Sequence, residues 1–143
     1  MNKNRIDFAS LAGELRVSHL GEVMITEKQA REFASHWIKA WNDHDIEAIT
    51  SHYSEDVEYF SVFLARLSDN PAGTLQGKAK VRDYLARGLA AYPELRFELL
   101  GLYWGIHSVV LQYGSVNNLI AAEVFEFDQN GLIRRVQCHY DRS

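Results

Sequence analysis

Apolar residues recur at helical spacing immediately after residue 26. The sequence Thr26-Glu-Lys-Gln29 has the form of a capping box, in which the threonine hydroxyl and the glutamine side chain satisfy free backbone groups at the start of a helix. The apolar stripe that follows consists of Ala30, Phe33, Ala34, Trp37, Ile38 and Trp41. The pattern predicts a helix that ends near Asn42, and Asp45 is placed to cap a short second helix through Ser51.

The middle of the chain changes from alternation to a loop and back to helical spacing. Residues 56–62, DVEYFSV, alternate and predict a strand, whereas residues 65–77 contain Asn70-Pro71 and two glycines and predict a loop with one short strand at 74–76. Apolar residues at helical spacing predict a third helix over 78–92, which stops before Pro93 because proline disfavours helix in the preceding residue.

The remainder, from Arg96 to Asp141, consists of four β-rich runs separated by turn residues at 105–108, 117–118 and 129–131. These runs predict an antiparallel meander. Helices followed by a meander indicate an α+β fold, a curved antiparallel sheet wrapped around N-terminal helices. Residues 1–23 show weak periodicity and are expected to be a loosely ordered extension or a marginal helix, with residues 24–143 as the domain.

Composition narrows the classes of function. A chain of 143 residues that is 47% hydrophobic fits one globular domain, and the net charge of −4 argues against a nucleic-acid partner. The single cysteine, Cys138, fits a reducing compartment, and no apolar run approaches the roughly 20 residues of a membrane helix. We expect a cytoplasmic protein that binds neither nucleic acid nor membrane.

Three stretches of the chain resemble the SnoaL-like branch of the nuclear transport factor 2-like superfamily, which also includes ketosteroid isomerases. They are FASHWIKAWNDHDIEAITSHYSEDVEYFS, GTLQGKAKVRDYLARGLAAYPELRFELL and AAEVFEFDQNGLIRRVQCHYD, and the resemblance covers residues 26–141. It implies an α+β cone with a pocket between helices and sheet, and a homodimer formed through the outer face of the sheet. The family hosts isomerases, cyclases, dehydratases and proteins without catalytic activity, so the resemblance implies a pocket rather than one reaction.

The last two predicted hairpins place polar side chains among apolar ones. A three-residue turn at 129–131 pairs Asp128 with Leu132, and a two-residue turn at 117–118 pairs Val116 with Leu119. Continued along the strands, these pairings predict a polar row of Gln112, Glu123 and Gln137, with His139 one pair further along and Phe125 towards the other end. This face could line the pocket, or it could be the outer face, with Leu111, Val124 and Val136 against the helices.

An inward polar row would favour acid–base chemistry on a small apolar carbonyl compound without a cofactor, of the isomerase, cyclase or dehydratase type. Burial would raise the pKa of Glu123 towards neutrality, where His139 titrates by nature, and the two would share the proton. This hypothesis requires both residues to face one cavity. The residues expected to bind or orient the ligand are Gln137, Gln112, Tyr59, Tyr53, Trp37 and Phe125. Tyr53 and Tyr59 are the candidate oxyanion donors.

The sequence also supports an alternative function, and it gives expectations for metal binding and for the cysteine. In the alternative function the polar row is structural and the chain is a non-catalytic ligand-binding or dimeric interaction domain. No metal site is expected, because His36, His44 and His52 are spaced by eight residues rather than the three or four that bring imidazoles together on a helix. Cys138 is expected to be a buried, unreactive thiol.

Overall fold

The computed structural model describes residues 16–17, 23–67 and 70–142. Its helices are α1 (Glu27–Asn42), α2 (Ile46–Thr50), α3 (Val62–Leu67) and α4 (Lys78–Ala91), with a 3₁₀ turn at Val116–Asn118. Its strands are β1 (Arg16–Val17), β2 (Val23–Met24), β3 (Tyr53–Phe60), β4 (Thr74–Gln76), β5 (Glu98–Trp104), β6 (Ser108–Gly114), β7 (Ile120–Phe127) and β8 (Ile133–Tyr140). None of the helices in the described ranges is long and apolar enough to span a membrane.

The helix starts follow the sequence signals. The Gln29 amide donates to the Thr26 hydroxyl, the Thr26 amide donates to the Gln29 side chain, and α1 begins at Glu27 as predicted. Asp45 caps α2 by accepting from the amide of Ala48. The loop predicted after residue 65 differs, because Val62–Leu67 forms the short helix α3 before the chain turns into β4.

Six strands form one curved sheet in the order β4-β3-β8-β7-β6-β5. The predicted meander β5–β8 is antiparallel throughout, and β3 joins it by pairing in parallel with β8. The helices cover one face of this sheet, so the α+β fold inferred from the sequence is confirmed. Of the predicted extension, the described residues belong to the two-stranded pairing of β1 with β2, and the rest of residues 1–22 lies outside the described residues.

The core is an aromatic cluster between α1 and the sheet. Phe33 and Trp37 are completely buried, and both rings make edge contacts with Phe125, at centroid distances of 5.0 and 5.4 Å. Trp37 also stacks on Phe97 at 5.7 Å. Aromatic side chains contribute large buried areas, so this cluster fixes α1 against the concave face of the sheet.

Candidate functional site

A cavity of about 610 Å³ opens between α4 and the concave face of the sheet. Its volume lies within the roughly 300–1,000 Å³ typical of small-molecule sites. Most of its wall is apolar or aromatic, with Trp41, Leu85, Leu95 and Phe97 among the lining residues. The polar residues that line it include Glu123, Tyr59, Tyr84, Tyr113, Tyr140, Ser115, Asn117, Arg87 and Arg142.

Glu123 is the one acidic residue among those that line the cavity. It projects from the middle of β7 onto the concave face, and its side chain is only 3% exposed. The hydroxyl of Tyr113 donates a hydrogen bond of 2.6 Å to its Oε1 atom. Cys138, opposite Glu123 on β8, supplies a second hydrogen bond to the carboxylate. The carboxylate is therefore held in a fixed position by groups on β6 and β8.

Burial raises the pKa of Glu123 from 4.5 to about 7. The largest cause is loss of hydration, which disfavours the charged form, and the hydrogen bonds from Tyr113 and Cys138 oppose it by stabilising the carboxylate. The carboxyl is consequently close to half protonated near neutral pH. Such a group can either accept or donate a proton.

Hydroxyl groups form the wall beside the carboxyl group. The Tyr59 hydroxyl and the Cys138 sulfur are hydrogen-bonded at 3.2 Å, and Ser61 hydrogen-bonds to the hydroxyls of Tyr84 and Tyr140. Loss of hydration raises the pKa of each of these three tyrosines above its usual value. The phenols therefore stay neutral and can donate hydrogen bonds to an oxygen atom in the cavity.

The hairpin of β7 and β8 departs from the predicted register at one residue. Phe127 lies opposite Ile133 as predicted, but Glu126 lies opposite Arg135, so Arg134 is an extra residue in β8. This is a β-bulge, and Glu126 forms ion pairs with both Arg134 and Arg135. Beyond the bulge every side chain of β8 points to the face opposite to the one predicted.

The hairpin of β6 and β7 is offset by one residue as well. The turn lies at the predicted asparagines, with the Leu119 amide donating to the Val116 carbonyl, but the Ser115 amide donates in turn to the Leu119 carbonyl. The ladder therefore continues with Gly114 opposite Ile120 and Leu111 opposite Glu123. The predicted pairing of Gln112 with Glu123 is wrong.

These two offsets remove the predicted polar row. Glu123 faces the cavity, whereas Gln112, Gln137 and His139 lie on the outer face of the sheet. His139 is exposed, and its Nδ1 atom is 3.2 Å from the carbonyl oxygen of Ala122. The hypothesis that Glu123 and His139 share a proton in one cavity is therefore wrong.

The aromatic residues expected to bind a ligand lie at different depths. Tyr59 lines the cavity, whereas Trp37 and Phe125 belong to the packed core behind it. Trp37 packs against Tyr113 at a centroid distance of 5.0 Å, so it supports the donor to Glu123 rather than the ligand. Tyr53 is 1% exposed and does not line the cavity. Loss of hydration is the largest cause of its raised pKa, and the negative charge of Glu123 raises that pKa further.

The sequence interpretation missed Tyr113, Tyr84 and Tyr140 as site residues. Tyr84 lies on the predicted third helix, and Tyr113 and Tyr140 share the face of Glu123 only because of the offsets in register. The sequence I-R-R-V-Q-C at 133–138 does contain a signal of the bulge. Its apolar residues Ile133 and Val136 are three positions apart rather than two, which is the spacing that one extra residue in a strand produces.

Comparison with known proteins gives one family. The sequence model described as "SnoaL-like domain" matches residues 34–136. A solved SnoaL-like protein of unknown function from Burkholderia thailandensis E264 is 34% identical, with a TM-score of 0.81 over 83% of this chain and 99% of that chain. No curated protein matches the chain significantly.

Two more distant structures share the fold. A protein of unknown function with a cystatin-like fold from Methylobium petroleophilum PM1 has a TM-score of 0.67 at 14% identity, over 84% of this chain and 80% of its own. The epoxide hydrolase/cyclase-like enzyme SalBIII, described in pyran ring formation in the polyether salinomycin, has a TM-score of 0.62 at 20% identity. That alignment covers 80% of this chain and 92% of SalBIII.

Proposed function

Because the chain belongs to the SnoaL-like domain family, whose fold encloses a cavity here, we propose that it binds a small, largely apolar molecule and catalyses proton transfer on it without a cofactor. Glu123 is the group that carries the proton. The reaction class is isomerisation, cyclisation or dehydration next to a carbonyl group. His139, on the outer face, takes no part.

One observation carries the proposal, namely a buried carboxyl group that lines a cavity and has a pKa of about 7. A general base is most effective when its pKa lies near the working pH, and positioned acid–base groups typically contribute about 10²–10⁴-fold to a rate. An ordinary surface glutamate would be fully ionised at pH 7 and a weak base. Burial raises the pKa of Glu123 and thereby makes its carboxylate a stronger base than that of a surface glutamate.

Such chemistry also requires hydrogen-bond donors, and the neutral tyrosines can supply them. Removing a proton from carbon next to a carbonyl leaves negative charge on oxygen, and hydrogen-bond donors fixed in a dry site stabilise that charge. Tyr59 and Tyr140 line the same cavity as Glu123 and interact with its neighbour Cys138.

Hydrogen–deuterium exchange tests the proposal without knowledge of the natural substrate. We would incubate the protein in D₂O with 2-tetralone, 3-cyclohexen-1-one and cyclohexanone, and follow deuterium incorporation next to the carbonyl by mass spectrometry. The wild type is expected to accelerate exchange on at least one of these ketones. Glu123→Gln keeps the shape of the side chain but cannot accept the proton, so exchange should fall by about 100-fold or more.

The control is His139→Gln, which changes a titratable side chain on the opposite face of the same hairpin. This variant should exchange at the wild-type rate. Equal exchange by wild type and Glu123→Gln would contradict the assignment of the proton to Glu123. If the protein accelerates exchange on none of the three ketones, and if adding them changes no chemical shift in the NMR spectrum of the protein, the alternative of a non-catalytic interaction domain is favoured.

We propose in addition that two copies associate through the outer face of the sheet. Support comes from an apolar row across three strands, in which Tyr103 lies opposite Val110 and Val110 lies opposite Val124. Tyr103 is 59% exposed, and contiguous exposed apolar surface commonly marks an interface. Light scattering should give twice the chain mass of 16.4 kDa, and Tyr103→Glu should reduce it to one chain.

A cytoplasmic location is the remaining proposal. Its support is the unpaired thiol of Cys138, since proteins of oxidising compartments commonly use cysteine in disulfides. Cell fractionation of the tagged full chain would test it, and recovery with exported proteins would contradict it.

A further inference from the structure

One residue in the wall of the cavity is a glycine at a helical position where the fold does not require glycine. Gly88 lies in the last turn of α4 and lines the cavity. Glycine is among the least favourable residues inside a helix because it has the most backbone freedom to lose. A glycine in this position therefore needs a reason.

The usual structural reasons do not apply to Gly88. Its backbone is not in the left-handed region, unlike that of Gly73, Gly77 and Gly131. It does not end the helix, because its carbonyl accepts the hydrogen bond from the Tyr92 amide and the helix continues through Ala91. Nor does another element approach it, since a Cβ atom built on Gly88 would have no heavy atom within 4 Å outside its own neighbourhood in the helix.

The open space beside Gly88 belongs to the cavity. Tyr84, Gly88 and Ala91 are spaced at i, i+4 and i+7, so they share one face of α4, and all three line the cavity. From Tyr84 towards the end of the helix the side chains on this face shrink to a hydrogen atom and a methyl group. The aromatic residues Trp41, Phe63 and Phe97 line the same cavity. A cavity that is bounded by bare helix backbone and lined by aromatic rings suits an apolar group such as a ring.

We infer that Gly88 determines ligand size at this site, because the missing side chain leaves room for a ring-sized apolar part of the ligand beside α4. The inference rests on the proposed function only in that the cavity is a ligand site. It does not require proton transfer by Glu123. Binding alone can therefore test it.

The probe is N-phenyl-1-naphthylamine, a neutral two-ring dye whose fluorescence increases in apolar surroundings. Gly88→Leu places a branched side chain in the gap and should weaken the affinity for the dye by at least 10-fold. Its thermal midpoint should be unchanged or higher, because leucine favours helix over glycine. Gly88→Ala should raise the midpoint by roughly 1–4 °C and weaken binding less.

Ala90→Leu is the matched control. It adds the same side chain to the same helix at an exposed position that does not line the cavity. This variant should bind the dye like the wild type. If the dye bound to another surface, neither leucine variant would change its affinity.

The outcomes separate the inference from the proposed function. Unchanged dye affinity in Gly88→Leu, with no gain in stability for Gly88→Ala, would overturn the inference even if the ketones exchange deuterium through Glu123. Loss of dye binding in Gly88→Leu alone would support the inference even if no ketone exchanges. Failure of the wild type to bind the dye would overturn the inference as well, since a space kept for rings must accept this one.

Discussion

At the scale of single residues, Glu123 shows how position decides chemistry. Glu126 lies three residues along the same strand, but it is 22% exposed and paired with arginines, whereas Glu123 is 3% exposed and receives hydrogen bonds from a phenol and a thiol. Loss of hydration dominates at Glu123 and raises its pKa to about 7. Two glutamates in one strand therefore have different surroundings, and those of Glu123 leave its carboxyl close to half protonated at neutral pH.

The raised pKa of Glu123 should make folding stability depend on pH. The unfolded chain loses this proton near pH 4.5 and the folded chain only near pH 7, so the folded state binds more protons in this interval and stability falls as pH rises through it. Between pH 5 and pH 8 the wild type should lose about 2–3 kcal/mol relative to Glu123→Gln, which does not ionise.

Urea denaturation of both proteins at pH 5 and pH 8 measures this difference. Other titrating groups are the same in the two proteins, so their contributions cancel when the two are compared at each pH. A difference in the free energy of unfolding that stays constant between pH 5 and pH 8 would show that Glu123 titrates alike in the folded and unfolded states.

At the scale of elements, the two offsets in register determine which side chains meet Glu123. The bulge at Arg134 brings Val136 and Cys138 to the concave face, and the five-residue connection 115–119 brings Leu111 and Tyr113 there. Strand existence and turn positions followed from local sequence, because turn residues and alternation are local signals. A shift of one residue moves every later side chain of a strand to the other face, so uninterrupted alternation wrongly placed Gln112, Gln137 and His139 on the same face as Glu123.

Insertion of one alanine between Arg135 and Val136 should damage the fold far more than replacement of Arg134 by alanine. The inserted residue shifts every later pair of the hairpin by one position, which turns Val136 and Cys138 outward and Gln137 and His139 into the core. We expect a loss of about 3 kcal/mol or more in the free energy of unfolding, on the scale of burying one or two apolar side chains. Arg134→Ala should cost about 1 kcal/mol or less, since it removes an exposed ion pair.

Urea denaturation followed by circular dichroism compares the insertion with the alanine substitution. Equal stability of the two would mean that the hairpin accommodates a second extra residue without moving Val136 and Cys138, and that the register of β8 does not decide which of its side chains are buried.

At the scale of the whole molecule, the fold was predictable and the cavity was not. The capping box at Thr26, the cap at Asp45 and the helical stripe of α4 act over a few residues, and their order along the chain sufficed for the α+β architecture. A cavity is the space that packing leaves empty, and it depends on the relative placement of α4 and four strands. Only Glu123 and Tyr59 of the predicted residues line it.

The central claim is that this fold holds a buried carboxyl group with a pKa near 7 in the wall of a cavity. Carbon-13 NMR of protein labelled at the glutamate side-chain carboxyl measures that group directly, and Glu123→Gln identifies its signal by removing it. We predict one glutamate signal that titrates with a midpoint near pH 7 and is absent from the variant. A Glu123 signal that titrates near pH 4.5, like an exposed glutamate, would contradict the claim.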